Sequence, residues 1–237
     1  MATIAIYSLK GGVGKTTLAV NLAWAAATQS ARRTLLWDLD PQAASTFLLG
    51  ARKAKGEAQA IFARDLDPAK LIRATAIPRL DLIGADASLR GLDLLFHELD
   101  KKKRLQKLLG VLAKDYDRIL LDCPPGLTET SEQVIRGADL IVVPVIPSPL
   151  AQRAFEDMAA HFAGKARILP VHTMVDRRRK LHAEALAAEP DWPVIPMASV
   201  VEQMAARRAP LGAFAPRSAA AAAFSTLWQT IEMRLST

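Results

Sequence analysis

Residues 7–17 read YSLKGGVGKTT, from Tyr7 to Thr17. The stretch overlaps TIAIY (Thr3–Tyr7), a short apolar run followed by glycines, which reads as a buried strand. It runs into TTLAVNLAWAAATQ (Thr16–Gln29), rich in Ala and Leu and free of Gly and Pro, which reads as a helix. The pattern G-x-x-x-x-G-K-[ST] of a phosphate-binding loop falls on Leu9–Thr16. Leu9 stands where the first glycine belongs, and an extra lysine, Lys10, sits inside the loop. Gly11, Gly12, Val13 and Gly14 can turn backbone N–H groups onto phosphate oxygens, helped by the N-terminus of the helix that follows. Lys15 suits the β- and γ-phosphates, the Thr16 hydroxyl suits Mg²⁺, and Thr17 can reach the α-phosphate.

Two acidic motifs accompany the loop. DRILLDCPPG ends an apolar run at Asp122, which would bring a carboxylate to the Mg²⁺ side of a nucleotide. Pro124, Pro125 and Gly126 then make a stiff turn suited to sensing the γ-phosphate. RTLLWDLDPQ ends a second strand in Asp38 and Asp40. The pair is expected to point to opposite sides of the strand end, one facing the metal and the other the γ-phosphate, where it can orient an attacking water.

Further strands are expected at Asp81–Ala85, in ADLIVVPVIPSP, in ARILPVHTMVD and in WPVIPM. The alternating prolines after VVPV should end their strand, since proline cannot continue a central one. Helices are expected over Asp86–Ala113, Leu150–Ala163, Arg179–Ala188, Val200–Arg207 and Ala219–Leu235, the first carrying a charge run at Asp100–Arg104. In the last, Phe224, Leu227, Trp228 and Ile231 share a face. Alternation of strands and helices implies an α/β fold: a mostly parallel, twisted sheet with helices on both faces and ligands at the C-terminal strand ends. At 237 residues and 51% hydrophobic, one domain over 1–237 is expected.

A formal charge of +7 favours an acidic partner. No apolar run approaches the roughly 18 residues of a membrane span, and the N-terminus lacks a basic leader, so a cytoplasmic protein is expected. The single cysteine, Cys123, rules out a disulfide framework and a multi-cysteine metal site from one chain. The four histidines show no ligand spacing.

KGGVGKTT, LLWDLDPQ, ILLDCPPG and VVPVIPSPL follow one another in the order and spacing of the ParA family, the deviant Walker A P-loop ATPases that include MinD. The resemblance runs from Thr3 to the C-terminal helix. It implies an ATP- and Mg²⁺-dependent ATPase that dimerises around two nucleotides. Lys10 then resembles the signature lysine that touches ATP held by the partner subunit, which gives the extra loop lysine a purpose. The same resemblance makes Asp40 the water-positioning residue, sets Asp38 near Mg²⁺ beside Thr16 and Asp122, and places Pro196 and Met197 on adenine.

Within that family the chain resembles the DNA-partitioning branch. There, ATP-bound dimers bind DNA without sequence preference, and a ParB-like partner triggers hydrolysis. Arg177, Arg178, Arg179 and Lys180 form one basic cluster and Arg207 and Arg208 a second, both able to meet phosphates. Relatives carry an arginine where this chain has Val200. A protein cargo, or a MinD-like membrane role, is the alternative. The C-terminal FSTLWQTIEMRLST reads as core packing rather than a basic lipid-binding helix. An iron–sulfur ATPase would need two cysteines per chain. No helix-turn-helix precedes the loop, so operator binding is not expected.

Overall fold

A computed structural model describes residues 1–51, 58–63, 67–98 and 103–236. Among these residues the sheet has eight strands: β1 (Ala2–Ile6), β2 (Thr34–Asp38), β3 (Ile72–Ala74), β4 (Leu80–Ile83), β5 (Arg118–Asp122), β6 (Leu140–Val145), β7 (Ile168–Val175) and β8 (Val194–Pro196). Their spatial order is β3-β4-β2-β5-β1-β6-β7-β8. Every pairing is parallel except β3 with β4. The helices are α1 (Lys15–Thr28), α2 (Ala44–Leu48), α3 (Ala60–Ala63), α4 (Leu92–Glu98), α5 (Arg104–Leu112), α6 (Glu129–Gly137), α7 (Pro149–Phe162), α8 (Lys180–Ala188), α9 (Ser199–Arg207), α10 (Leu211–Phe214) and α11 (Ala219–Ser236).

Strand alternation divides the core into two layers. Ala5, Leu35, Trp37, Ile83, Leu121 and Val143 face one side, where Trp37 stacks on Phe62 at 5.7 Å and Phe62 meets Phe96 edge-on at 5.4 Å. Ile4, Ile6, Leu36, Leu82, Leu120 and Val142 face the other, under α1 and α11. Helix α1 is buried almost all round, and its alanines let it lie close to the sheet. Phe224, Leu227, Trp228 and Ile231 of α11 are all buried there, and the Trp228 indole N–H donates to Ser30 Oγ at 2.7 Å. The aromatic face of the C-terminal helix is therefore core.

Three expectations need correction. The stretch Asp86–Ala113 is not one helix: a 3₁₀ turn (Ala87–Gly91) leads into α4, and α5 starts only at Arg104. Most of the charge run lies outside the described residues. Prolines do occupy central strands, Pro144 in β6 and Pro170 in β7. They are tolerated because neither ladder needs their missing N–H. The pairing of β6 with β1 has ended at Val142, which accepts from the Tyr7 N–H, and β7 first reaches β8 at His172, which donates to Pro193 O. Edge strand β3 and helix α6 were also not foreseen.

Candidate nucleotide site

The phosphate loop joins the end of β1 to α1. Gly12 (φ 73°) and Gly14 (φ 93°) take left-handed backbone, which glycine adopts without a Cβ penalty. A Cβ added at Gly11 or Gly12 would meet nothing within 4 Å, so this rim is an open cradle beneath which the first turn of α1 begins. The Thr173 hydroxyl pins the loop from below by donating to Val13 O at 3.1 Å. Tyr7 reaches across to the Pro-Pro-Gly turn, its hydroxyl donating to Gly126 O at 2.8 Å. Burial pushes that phenol up to about 12.

The two loop lysines have different surroundings. Lys15 is buried, and its ammonium donates to Lys10 O at 3.1 Å. Burial lowers its pKa, while the charges of Asp122 and Asp40 oppose that shift. Lys10 extends along the surface instead, and its Nζ donates to Leu150 O at 2.8 Å, at the start of α7. One lysine thus stays at the loop and the other leans outward, held by a single exposed bond.

The acidic residues converge because β2 and β5 pair in register, with Asp38 opposite Asp122 and Asp122 opposite Ile6 of β1. Both carboxylates are fully buried. Asp38 is saturated: Oδ2 accepts from the Thr46 amide (2.9 Å) and hydroxyl (2.7 Å), and Oδ1 from the Asp40 amide (3.1 Å). Asp122 Oδ2 accepts from the Ser45 hydroxyl at 2.7 Å. Its Oδ1 is buried without a hydrogen-bond partner among the described residues, although the Thr16 hydroxyl lies near enough to ease its charge. Burial and the neighbouring Asp122 push Asp38 up to about 8, and burial raises Asp122 to about 6.

Asp38 and Asp40 do separate, but not by strand alternation. Residues two apart share a face in a strand. The separation arises because β2 ends at Asp38, after which the chain turns, with the Ala43 N–H donating to Asp40 O and Ala43 itself left-handed (φ 56°). Asp40 is half-buried and accepts from the Gln42 amide at 2.8 Å.

Beside the loop lies a mostly apolar cleft of about 240 Å³. Thr17, Met174, Pro196, Met197, Val201 and Phe224 contribute to its walls, so Pro196 and Met197 do stand at the phosphate loop. Thr173, Met174 and Val201 were not foreseen; they come from β7 and α9, far along the chain, and no motif marks them. Asn21 braces this corner: Oδ1 accepts from the Leu211 amide and Nδ2 donates to Thr17 O, each at 2.8 Å.

One basic cluster follows β7 and the other closes α9. Arg177, Arg178, Arg179 and Lys180 are exposed. Arg178 chelates Asp176 with two bonds of 2.9 Å, Arg179 lies 3.7 Å from the same carboxylate, and Lys180 lies 3.7 Å from Glu184. Arg207 sits 4.9 Å over the Phe214 ring and Arg208 4.5 Å over the Phe47 ring, both exposed. Cys123 is buried beside Asp122, with its thiol raised by burial. Among the described residues no group of three or more His, Cys, Asp or Glu gathers as a metal centre, and no helix is long and apolar enough to cross a membrane.

A strand, a glycine loop and a helix, with a buried lysine facing strand-end carboxylates, make a P-loop, and the model of the AAA domain family AAA_31 matches residues 1–164. The chain belongs to the ParA/MinD family. It is 39% identical over 145 residues to the sporulation initiation inhibitor protein Soj of Bacillus subtilis, covering 60% of this chain and 57% of that protein. The match therefore spans little more than half of that relative. The chromosome-partitioning ATPase Soj of Thermus thermophilus aligns over 98% of this chain and 96% of its own, at 29% identity. The fold is that of the Pyrococcus furiosus cell division ATPase MinD (TM-score 0.83, 22% identity, 98% of each chain). It is also that of a Cyanothece McdA(D38A)–ATP complex (TM-score 0.81, 22% identity, 98% of this chain and 96% of that one).

Proposed function

We propose that this ParA/MinD-family chain is a Mg²⁺-dependent ATPase that dimerises around ATP, binds duplex DNA without sequence preference and positions DNA cargo. The observation that carries the catalytic part is the site itself: an open glycine cradle, a buried Lys15 and a buried Asp122 whose Oδ1 has no hydrogen-bond partner among the described residues. An orphaned buried carboxylate oxygen is costly unless a donor or cation meets it. A hard divalent ion held by few protein oxygens and by substrate phosphates fits that requirement.

Gly11, Gly12, Val13 and Gly14 then present their amides to the phosphates, and Lys15 neutralises the β- and γ-oxygens. Thr16 and Asp122 would hold Mg²⁺, which when bound would supply charge neutralisation for the transferring phosphoryl group. Asp38, with its acceptors occupied by Thr46 and Asp40, acts as the anchor that sets Asp122 and Asp40 in place. Asp40, half-buried at the turn, orients the attacking water. Pro196 and Met197 pack on the base in the cleft that Thr17 also lines. Lys10 would release its exposed bond to Leu150 O to reach a nucleotide held by a second subunit. Charge neutralisation supplied in trans would tie ATP binding to a homodimer.

The DNA-binding part rests on the net charge of +7 and on the exposed arginines. Arg207 and Arg208 are the stronger candidates, because neither makes an ion pair with an acidic side chain among the described residues, whereas Asp176 and Glu184 offset the 177–180 cluster. A ParB-like adaptor would stimulate hydrolysis, and a nucleoid-associated, cytoplasmic setting follows.

The test is duplex DNA binding with ATP, with ADP and without nucleotide, at two salt concentrations. Binding with ATP alone, weakening steeply with salt as counterion release requires, is expected, and Lys15→Ala and Lys10→Ala should each abolish it, only the second retaining ATP. Absence of DNA binding in every state would refute the DNA part and leave a protein cargo as the object positioned.

A further inference from the structure

Helix α2 touches the candidate site at one end and the candidate DNA face at the other. At its start, Ser45 donates to Asp122 and Thr46 to Asp38, both through fully buried hydroxyls. One residue on, Phe47 is 42% exposed and carries the Arg208 guanidinium 4.5 Å from its ring centroid. A cation over an aromatic face is held by the ring quadrupole, weakly enough at an exposed site to be released. Arg208 also ends α9 in left-handed backbone (φ 48°, ψ 52°), and Ala43 enters α2 in the same region (φ 56°, ψ 40°). For residues with a Cβ this conformation is uncommon and persists where the surroundings enforce it. Strained backbone therefore marks the entry of α2 and the end of α9, the two elements that the Phe47–Arg208 contact joins.

We infer that α2 is a positioning element with two ends: Ser45 and Thr46 orient the buried carboxylates, and Phe47 seats Arg208, so that loading of the site changes how Arg208 is presented. The inference rests on the proposed cation site at Asp122. A cation meeting Oδ1 of Asp122 draws the carboxylate toward itself, and with it the Ser45 hydroxyl bonded to Oδ2, which shifts the start of α2. Because α2 is barely more than one turn long, that shift cannot be absorbed within it and moves Phe47. Ser45 is thus a positioning residue acting through Asp122, and Phe47 a positioning residue acting through Arg208.

A second route to α9 exists, because Val201 lines the cleft assigned to the base, so the experiment must separate the two. Amide hydrogen exchange of residues 8–17, 43–50 and 204–210 is measured in wild type, Ser45→Ala and Phe47→Ala, each with and without Mg²⁺–ATP. In wild type both segments are expected to change protection at least threefold on loading. In Phe47→Ala, which alters no residue of the site, the 43–46 response should persist and the 204–210 response should fall to within twofold of the unloaded protein. In Ser45→Ala both responses should shrink. A 204–210 response that persists in Phe47→Ala would overturn the inference, since the base cleft or a dimer contact would then carry the signal. The readout does not involve DNA, so it stands apart from failure of the DNA assignment. Absence of any wild-type response to Mg²⁺–ATP at 8–17 would instead refute the nucleotide site itself.

Discussion

Replacing Asp122 with Asn should stabilise the ligand-free protein at high pH while destroying its response to Mg²⁺. Asp122 is fully buried opposite Asp38, and burial raises it to about 6 and Asp38 to about 8. A carboxyl whose folded pKa lies above its unfolded value favours the fold below the unfolded pKa. That contribution is lost as pH rises through the folded pKa. Ligand-free stability should therefore decline between about pH 4 and pH 8. Each pKa unit corresponds to about 1.4 kcal/mol, so charging Asp122 costs at most about 3 kcal/mol. An amide at the same position avoids that cost but weakens the bond from Ser45 from charge-assisted to neutral, a loss of about 1 kcal/mol. The net expectation is a gain of about 2 kcal/mol at pH 8 that falls to about 1 kcal/mol at pH 5. Urea unfolding of both proteins in EDTA at the two pH values measures it. Added Mg²⁺–ATP should then raise the midpoint of wild type by linkage, and that of the variant far less. A variant equally destabilised at both pH values would refute the reasoning, because Asp122 would then be a satisfied structural carboxylate and not a charge awaiting a cation.

Two further predictions concern the frame that holds the site. Gly212→Ala would set a Cβ 2.2 Å from the Trp24 ring, between α10 and α1, and should cost about 1–3 kcal/mol in urea unfolding; a wild-type midpoint would mean that Trp24 moves aside freely. Glu232 joins α11 to the start of β5, with Oε1 2.7 Å from Arg118 Nε and Oε2 3.1 Å from Arg32 Nη2. Burial works against its charge, but the two arginines outweigh it and hold the carboxyl below its usual value. Because that pKa is depressed, the stabilisation is present above the unfolded pKa and lost as pH falls through the folded value. Glu232→Gln should therefore lower stability by about 1–2 kcal/mol at pH 7, with the gap closing below about pH 4; a gap independent of pH would contradict the ion-pair account.

What the sequence disclosed follows from the range of the interactions involved. The phosphate loop, the strands and most helices were legible because their signals are local: glycines between an apolar run and an alanine-rich one, or a Pro after a Ser at the start of α7. Helix α6 escaped because Thr128 caps it with Ser131 at the third position, not the Glu or Gln of the usual capping box. The prolines of β6 and β7 misled because tolerance depends on which neighbour the missing N–H would face, a property of sheet order. The site divides along the same line. Lys10, Lys15 and Thr16 are fixed by spacing within one loop. That Asp38 lies opposite Asp122 depends on register between strands 84 positions apart, and that Ser45 and Thr46 serve those carboxylates depends on a left-handed Ala43 no propensity favours. Local rules thus locate the phosphate chemistry, whereas the charge balance deciding whether a cation is needed exists only once the sheet has closed. That balance, not the motif, is what Asp122→Asn probes.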